Sequence, residues 1–298
     1  MLLGSSTNSI GDVDPLDAIP MLRDMGYGSL AITLDHHTLN PFAADLPARI
    51  ARWREALARS CMASVIETGA RHLLDPSQKH EPTLVTADRE ARQRRTDFLC
   101  RAIDIAVDLG ATCVSLWSGV VRDSADEPSI WNRLTGSLAT VLDHAAARQM
   151  PLGFEPEPGM AIDTLARYGQ LFDRLSRPDH LRLTVDIGHM ECMGERPMAD
   201  VLQPWADRVV NVHIDDMLAC RHEHLPLGTG DVDFPPILAA LAAGGYVGGL
   251  HVELPRQSHR WVETATQSAA FLTPLLRNLP RQLPRQLPRY LPPKESSR

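Results

Sequence analysis

Residues 181–190 read LRLTVDIGHM. Six residues rich in aliphatic and β-branched side chains end at Asp186, a glycine follows at 188, and His189 stands three positions after the acid. A short apolar run closed by turn-forming residues reads as a buried strand. A lone acid at the end of a strand is commonly the cap of the next helix. Whether Asp186 is only that, or a carboxylate delivered to a site, depends on how the other strands end.

Similar runs recur at 2–5, 29–34, 62–67, 112–116, 151–155, 209–214 and 249–254. Amphipathic stretches separate them, at 15–25, 47–60, 88–109, 129–149, 161–176, 197–203, 235–243 and 261–277. The clearest is 88–109, where Phe98, Ala102, Ile105 and Leu109 recur at helical spacing and Gly110 supplies a stop. Eight alternating units match a (β/α)8 TIM barrel, which needs roughly 250 residues. A doubly wound sheet is the rival, but LGSSTNSIGD after the first strand is not a glycine-rich phosphate loop. The expected organisation is one α/β barrel domain over residues 1–278. The segment 279–298, LPRQLPRQLPRYLPPKESSR, places a proline every four residues and has little to bury, which predicts a disordered, low-complexity tail.

A composition that is 44% hydrophobic and 22% charged over 298 residues is ordinary for a globular chain with a large core. Net charge is −7, and the tail is basic, so the body is more acidic than the whole. Such a surface argues against nucleic acid as a partner. The start, MLLGSSTNSI, lacks a charged n-region, and no apolar run has the length of a membrane span. Five scattered cysteines without a CxxC pair read as reduced thiols in a cytoplasmic protein, with Cys113 a small buried hydrophobe.

In a barrel the loops at the C-terminal ends of the strands converge on one mouth. Strand five ends at Glu155, six at Asp186, seven carries His213, and eight carries Glu253. Each acid closes an apolar run, where an uncompensated charge would be costly to bury. Three converging carboxylates repel one another by an amount on the order of kcal/mol per pair. One divalent metal ion resolves the conflict, and the three-oxygen, one-nitrogen set suits Mn, Mg or Co, with Zn also compatible. His189, one turn on from Asp186, is placed to contact substrate or a second ion.

The motifs GFEP, LTVDIGHM, NVHIDD, HLPLGTGDVDF and HVEL, in this order, resemble the xylose-isomerase-like sugar phosphate isomerase/epimerase superfamily, which includes ketose 3-epimerases and endonuclease IV. The resemblance implies metal ligands at Glu155, Asp186, His213 and Glu253. It makes Glu155 and Glu253 the catalytic acid/base pair and gives His189 a substrate oxygen. In endonuclease IV a comparable loop holds further zinc ions. His222 and His224 stand at the matching spacing, read here as substrate-binding groups, with a second metal ion beside His189 as the alternative. Strand four ends in LWSG, without a ligand, which departs from the nuclease pattern.

Other residues at the mouth are candidates from their position alone. The segment 65–82 carries Glu67, Arg71, Lys79 and His80; Arg71 binds an anionic group or pairs with Glu67 or Asp75. Trp117, after strand four, stacks on a sugar or packs. Asp215 shares a side with His213 and orients a ligand from behind. Arg256 and His259 follow Glu253 and are read toward substrate, and His251 as a satisfied core histidine. The expected activity is that of a divalent-metal-dependent isomerase or epimerase of carbohydrate metabolism. Its substrate is a sugar, sugar phosphate or polyol-type hydroxy-carbonyl compound, and a proton moves through a metal-stabilised enediolate. The alternatives are a dehydratase of an inosose or dehydroshikimate-like acid, a multi-zinc phosphodiester hydrolase, and a non-catalytic binding barrel. A small-molecule substrate is the expected partner, a membrane is not, and self-association into a homo-oligomer stays open.

Overall fold

A computed structural model describes residues 1–279. The tail expected at 279–298 lies outside the described residues except for Leu279.

Ten strands are present among the described residues: β1 Leu2–Ser6, β2 Ser29–Thr33, β3 Ala63–Glu67, β4 Val114–Leu116, β5 Leu152–Phe154, β6 Leu181–Asp186, β7 Val209–Ile214, β8 Asp216–Leu218, β9 Arg221–Leu225 and β10 Gly249–Val252. The helices are α1 Pro15–Asp24, α2 Leu46–Arg59, α3 Arg89–Leu109, α4 Glu127–Ala147, α5 Leu165–Arg174, α6 Ile187–Cys192, α7 Met198–Leu202, α8 Phe234–Ala243 and α9 Trp261–Arg277. Eight strands close a parallel barrel in the order β1-β10-β7-β6-β5-β4-β3-β2. The fold is the (β/α)8 TIM barrel that the alternation predicted.

Parallel strands are covered on both faces, so they read as continuous apolar runs. The outer face packs Leu30, Ile32, Ile66, Leu116, Leu152 and Phe154 against helix residues such as Phe98, Ile103, Leu134 and Leu138 in one large core. The helices begin where acids and hydroxyls cap them. Asp88 accepts the Ala91 N–H at 2.7 Å at the head of α3, and Asp126 accepts the Ser129 N–H at 3.0 Å at the head of α4. Gly110 ends α3 with φ of +80°, a left-handed position that a side chain would strain.

The barrel interior is small and polar by contrast. Ala31, Val65 and Cys113 form a separate apolar knot with Val210. Ser115 and Thr184 join hydroxyls at 3.0 Å. A bulge opposite Leu183 and Thr184 inserts Val210 into β7, so Val210 joins the knot while its neighbour Asn211 turns to the buried polar groups. His251, fully buried, meets Ser29 Oγ at 2.8 Å and Asn211 Oδ1 at 2.8 Å, and burial pushes its pKa down to about 3. It is the satisfied core histidine that the sequence suggested.

Two features differ from the strand pattern read in the sequence. Residues 221–230, expected as a loop, begin with the second strand of an antiparallel hairpin, β8–β9. The α6 turn was also not foreseen, because six residues containing a glycine carry no readable helical period.

Gly153 tests how tightly the interior is filled. A Cβ there would stand 2.4 Å from Thr184 Oγ1 and 3.2 Å from Val210 Cγ2. Overpacking a closed interior typically destabilises by about 1–3 kcal/mol. Gly153→Ala is expected to fall in that range by urea denaturation; an unchanged midpoint would mean that the interior yields freely.

Candidate functional site

The strand ends bring four of the sequence-predicted residues to one point. Asp186 ends β6, His213 lies in β7, Glu155 follows β5 directly, and Glu253 follows β10 directly. His213 Nδ1 sits among the three acids, 3.0 Å from Glu155 Oε1, 3.2 Å from Glu253 Oε2 and 3.8 Å from Asp186 Oδ2. Asn8, in the first βα loop, donates to Glu253 Oε1 at 3.0 Å.

Asp186 performs both tasks raised by LTVDIGHM. Its Oδ1 caps α6 by accepting the His189 N–H at 2.9 Å, while Oδ2 is buried with no hydrogen-bond partner and faces His213 and His189. Gly188 is required at its place in α6, because a Cβ there would fall 1.9 Å from Asp215 Oδ1.

Burial drives the electrostatics, and neighbours decide its outcome. Burial pushes the Glu155 carboxyl up to about 7, opposed by His213 and reinforced by Asp186 and Glu67. Burial acts the same way on Glu253, but His213, His224 and Asn8 outweigh it and hold that carboxyl below its usual range. Burial alone would lower the His213 imidazole; Glu67, Glu155 and Glu253 overcome this and keep it well above its ordinary value.

These observations fit a divalent cation. Asp186, His213 and Glu253 bring ligand atoms within 4.8 Å of one another, and Glu155 reaches the same His213 nitrogen at 3.0 Å, a hard, oxygen-rich combination suited to Mn, Mg, Co or Zn. An unpartnered buried oxygen on Asp186 aims at the same centre. One proton on Nδ1 cannot satisfy three acids, whereas a doubly charged ion can neutralise most of their charge.

The mouth above is a cavity of about 760 Å3. The β8–β9 hairpin folds over it. In β9, His222 and His224 share one face by strand alternation, and Glu223 on the other face pairs with Arg221 and Arg256, each at 2.8 Å. His222 Nε2 lies 3.1 Å from His189 Nε2, and His224 bonds Asp215, so His189, His222 and His224 form a cluster beside the acids. Asp215 thus holds a histidine, but His224 rather than His213. Burial pushes His189 down to about 4, and Asp215 carries His224 up to about 10 against the effect of burial. His189 Nδ1 faces the Pro156 carbonyl at 3.4 Å, which places the proton on Nδ1 and leaves Nε2 as an acceptor.

The remaining candidates lie around the rim. Arg71 lines the cavity, and its charge partner is Asp35 at 3.6 Å, with Asn8 Oδ1 accepting at 2.9 Å; it pairs with neither Glu67 nor Asp75. Trp117 is buried in the wall, with the Arg95 guanidinium 4.5 Å over its ring and the edge of His80 at 5.7 Å. Arg256 and Lys79 line the mouth; His259 does not.

Two further acids stand at the site where the sequence did not place them. Glu67 ends β3 and reaches His213 Nε2 at 2.9 Å. Glu157, two residues beyond Glu155, approaches His189 and His222 and is pushed well above the usual carboxylate range by burial and by the neighbouring acids. The signal for Glu67 was present: ASVIE closes on an acid as LRLTVD does.

Comparison with known proteins agrees with this architecture. The family model described as xylose isomerase-like TIM barrel matches residues 19–275. The Escherichia coli (strain K12) protein named "Putative L-ribulose-5-phosphate 3-epimerase SgbU" is 24% identical over 239 residues, covering 74% of this chain and 82% of that protein. An inosose dehydratase of Lacticaseibacillus casei is 27% identical over 140 residues, covering 41% of this chain and 46% of that enzyme. A solved L-ribulose 3-epimerase superposes with a TM-score of 0.75 at 21% identity, covering 93% of this chain and 94% of that one, a likeness of fold. The chain belongs to the xylose isomerase-like TIM barrel family.

Proposed function

We propose that this protein is a divalent-metal-dependent epimerase or isomerase of a sugar, sugar phosphate or polyol-type hydroxy-carbonyl compound. The observation that carries this reading is the meeting of Glu155, Asp186 and Glu253 around His213 Nδ1 at the floor of a cavity open to a small molecule. The epimerase names among its relatives support the same class. The five unpaired cysteines support a reducing, cytoplasmic setting.

Glu155, Asp186, His213 and Glu253 would hold the ion. When bound, it supplies Lewis acidity toward adjacent substrate oxygens. Glu155 and Glu253 directly follow β5 and β10, with β6 and β7 between them, so they would reach a bound substrate from different sides. One carboxylate removes the proton from the carbon beside the carbonyl, and the other returns a proton to the opposite face. His189 Nε2 accepts a substrate hydroxyl, with His222 and His224 beside it. Trp117 offers ring surface to the carbon skeleton, and Arg71 and Arg256 bind at the rim.

Two further readings have specific support. The dehydratase match favours a lyase that uses the same base but expels hydroxide. The facing ring nitrogens of His189 and His222 favour a second ion among the three imidazoles, which would move the site toward multi-metal chemistry.

General acid or base groups typically contribute 10²–10⁴-fold in rate. Glu155→Gln and Glu253→Gln are each expected to lower kcat by at least about 10²-fold while the melting temperature stays close to that of the parent. Near-normal turnover by either folded variant would overturn the assignment. Chelator treatment should abolish activity on ketoses, and Mn, Mg or Co should restore it. Activity untouched by complete chelation would rule out the metal reading, and metal analysis counts the ions. In D2O, deuterium should enter the substrate beside the carbonyl with no water lost; loss of water would assign the dehydratase.

A further inference from the structure

A chain of buried hydrogen bonds runs from Ser29 to His213, and one carboxylate sets its direction. Ser29 Oγ meets His251 Nε2 at 2.8 Å, and His251 Nδ1 meets Asn211 Oδ1 at 2.8 Å. Asn211 Nδ2 meets Glu67 Oε1 at 2.9 Å, and His213 Nε2 meets the same oxygen at 2.9 Å. An ionised carboxylate only accepts. The Asn211 amide must therefore turn its NH2 to Glu67 and its oxygen to His251. His251 must then carry its proton on Nδ1 and accept the Ser29 hydroxyl on Nε2. By the same rule His213 must carry a proton on Nε2.

We infer that Glu67 is a positioning residue: it holds the Nε2–H of His213, so that Nδ1 is the nitrogen turned to the centre shared with Glu155, Asp186 and Glu253 and the one that would exchange its proton for an ion. This rests on the metal reading above and adds to it the residue that selects the ligating nitrogen. The alternative arrangement is also visible. Asn211 Nδ2 stands only 3.2 Å from His213 Nε2. Without the Glu67 acceptor, that NH2 donates to Nε2, and the neutral ring carries its proton on Nδ1, where it blocks the centre. Glu67 decides between the two forms because it accepts from both groups at once. Its place is fixed as well: it is the last residue of β3, is 7% exposed, and lines the floor of the mouth.

Partners behind a metal-binding histidine typically govern metal affinity by 10–100-fold. The test compares the full-length parent with Glu67→Met, which removes the acceptor at similar size, and Glu67→Gln, which keeps a weaker, neutral acceptor. Divalent affinity is measured by Mn²⁺ titration calorimetry, and the His213 protonation pattern by ¹⁵N-histidine NMR, stripped of metal and with Mg²⁺. The parent should show a protonated Nε2 in both conditions. Glu67→Met should lose Mn²⁺ affinity by about 10–100-fold and move the proton of the neutral His213 ring from Nε2 to Nδ1, with Glu67→Gln in between. Should Glu67→Met fail to fold, Glu67→Gln carries the test. An unprotonated Nε2 in the parent overturns the inference, as does Mn²⁺ affinity within twofold of the parent in both folded variants. If the parent binds no divalent ion, the metal reading falls separately, and the metal-free NMR pattern alone decides the role of Glu67.

Discussion

Three carboxylates converge on one imidazole nitrogen at the floor of a buried mouth, and the rest of the site answers to that crowding. Two unit charges about 4 Å apart interact by about 4 kcal/mol at an effective protein dielectric of 20. Three mutually repelling acids are therefore a substantial local burden for a fold of ordinary stability. The chain meets it with oriented donors: Asn8 on Glu253, the α6 amide on one oxygen of Asp186, and His213 among all three. Asp186 Oδ2 is still left without a hydrogen bond. A site built for stability alone would have replaced these acids with apolar side chains of similar size.

The structure divides its labour between two faces of one sheet. Outside the barrel, aliphatic and aromatic side chains pack against the helices and supply the driving force for folding. Inside, small and polar residues leave room for a chain of directed hydrogen bonds. Alternation along each strand produces both faces from the same residues. The bulge at Val210 lets β7 fill the apolar knot with one residue and turn the next, Asn211, to the polar chain.

Much of the fold was legible because the apolar runs of parallel strands are uninterrupted and because the helical spacing of Phe98, Ala102, Ile105 and Leu109 stops at Gly110. Glu155, Asp186 and Glu253 were legible for the same reason, since an acid that closes a buried run is conspicuous, and His213 stood out as a polar residue of the apolar run VVNVHI. Glu67 carried that mark but was set among loop residues, and only the contact across the barrel to His213, 146 positions away, reveals its place. The partner of Arg71 was misjudged because local candidates were weighed, whereas Asp35 comes from the preceding βα loop. The β8–β9 hairpin was hidden by its charge. RHEHL is polar on both faces, so it lacks the apolar alternation that betrays a half-buried strand, although that alternation is what aims His222 and His224 into the mouth.

The mouth itself has two unlike halves. One is carried by the barrel: Glu155, Asp186, His213 and Glu253 stand at or within one residue of its strands, and α6 is tied to the sheet by Asp186. The other is built from the loops after β1, β2 and β3, and it opens into a side lobe of about 660 Å3 lined by Asp12, Asp14, Asp35, His37 and Arg71 among others. Groups that move protons need fixed geometry and belong on strands; groups that choose among substrates vary freely on loops. The lobe shares Asn8 and Arg71 with the main cavity, and Asn8 also donates to Glu253. Asn8 thus joins the loop-built half of the mouth to the strand-built half through its hydrogen bond to Glu253.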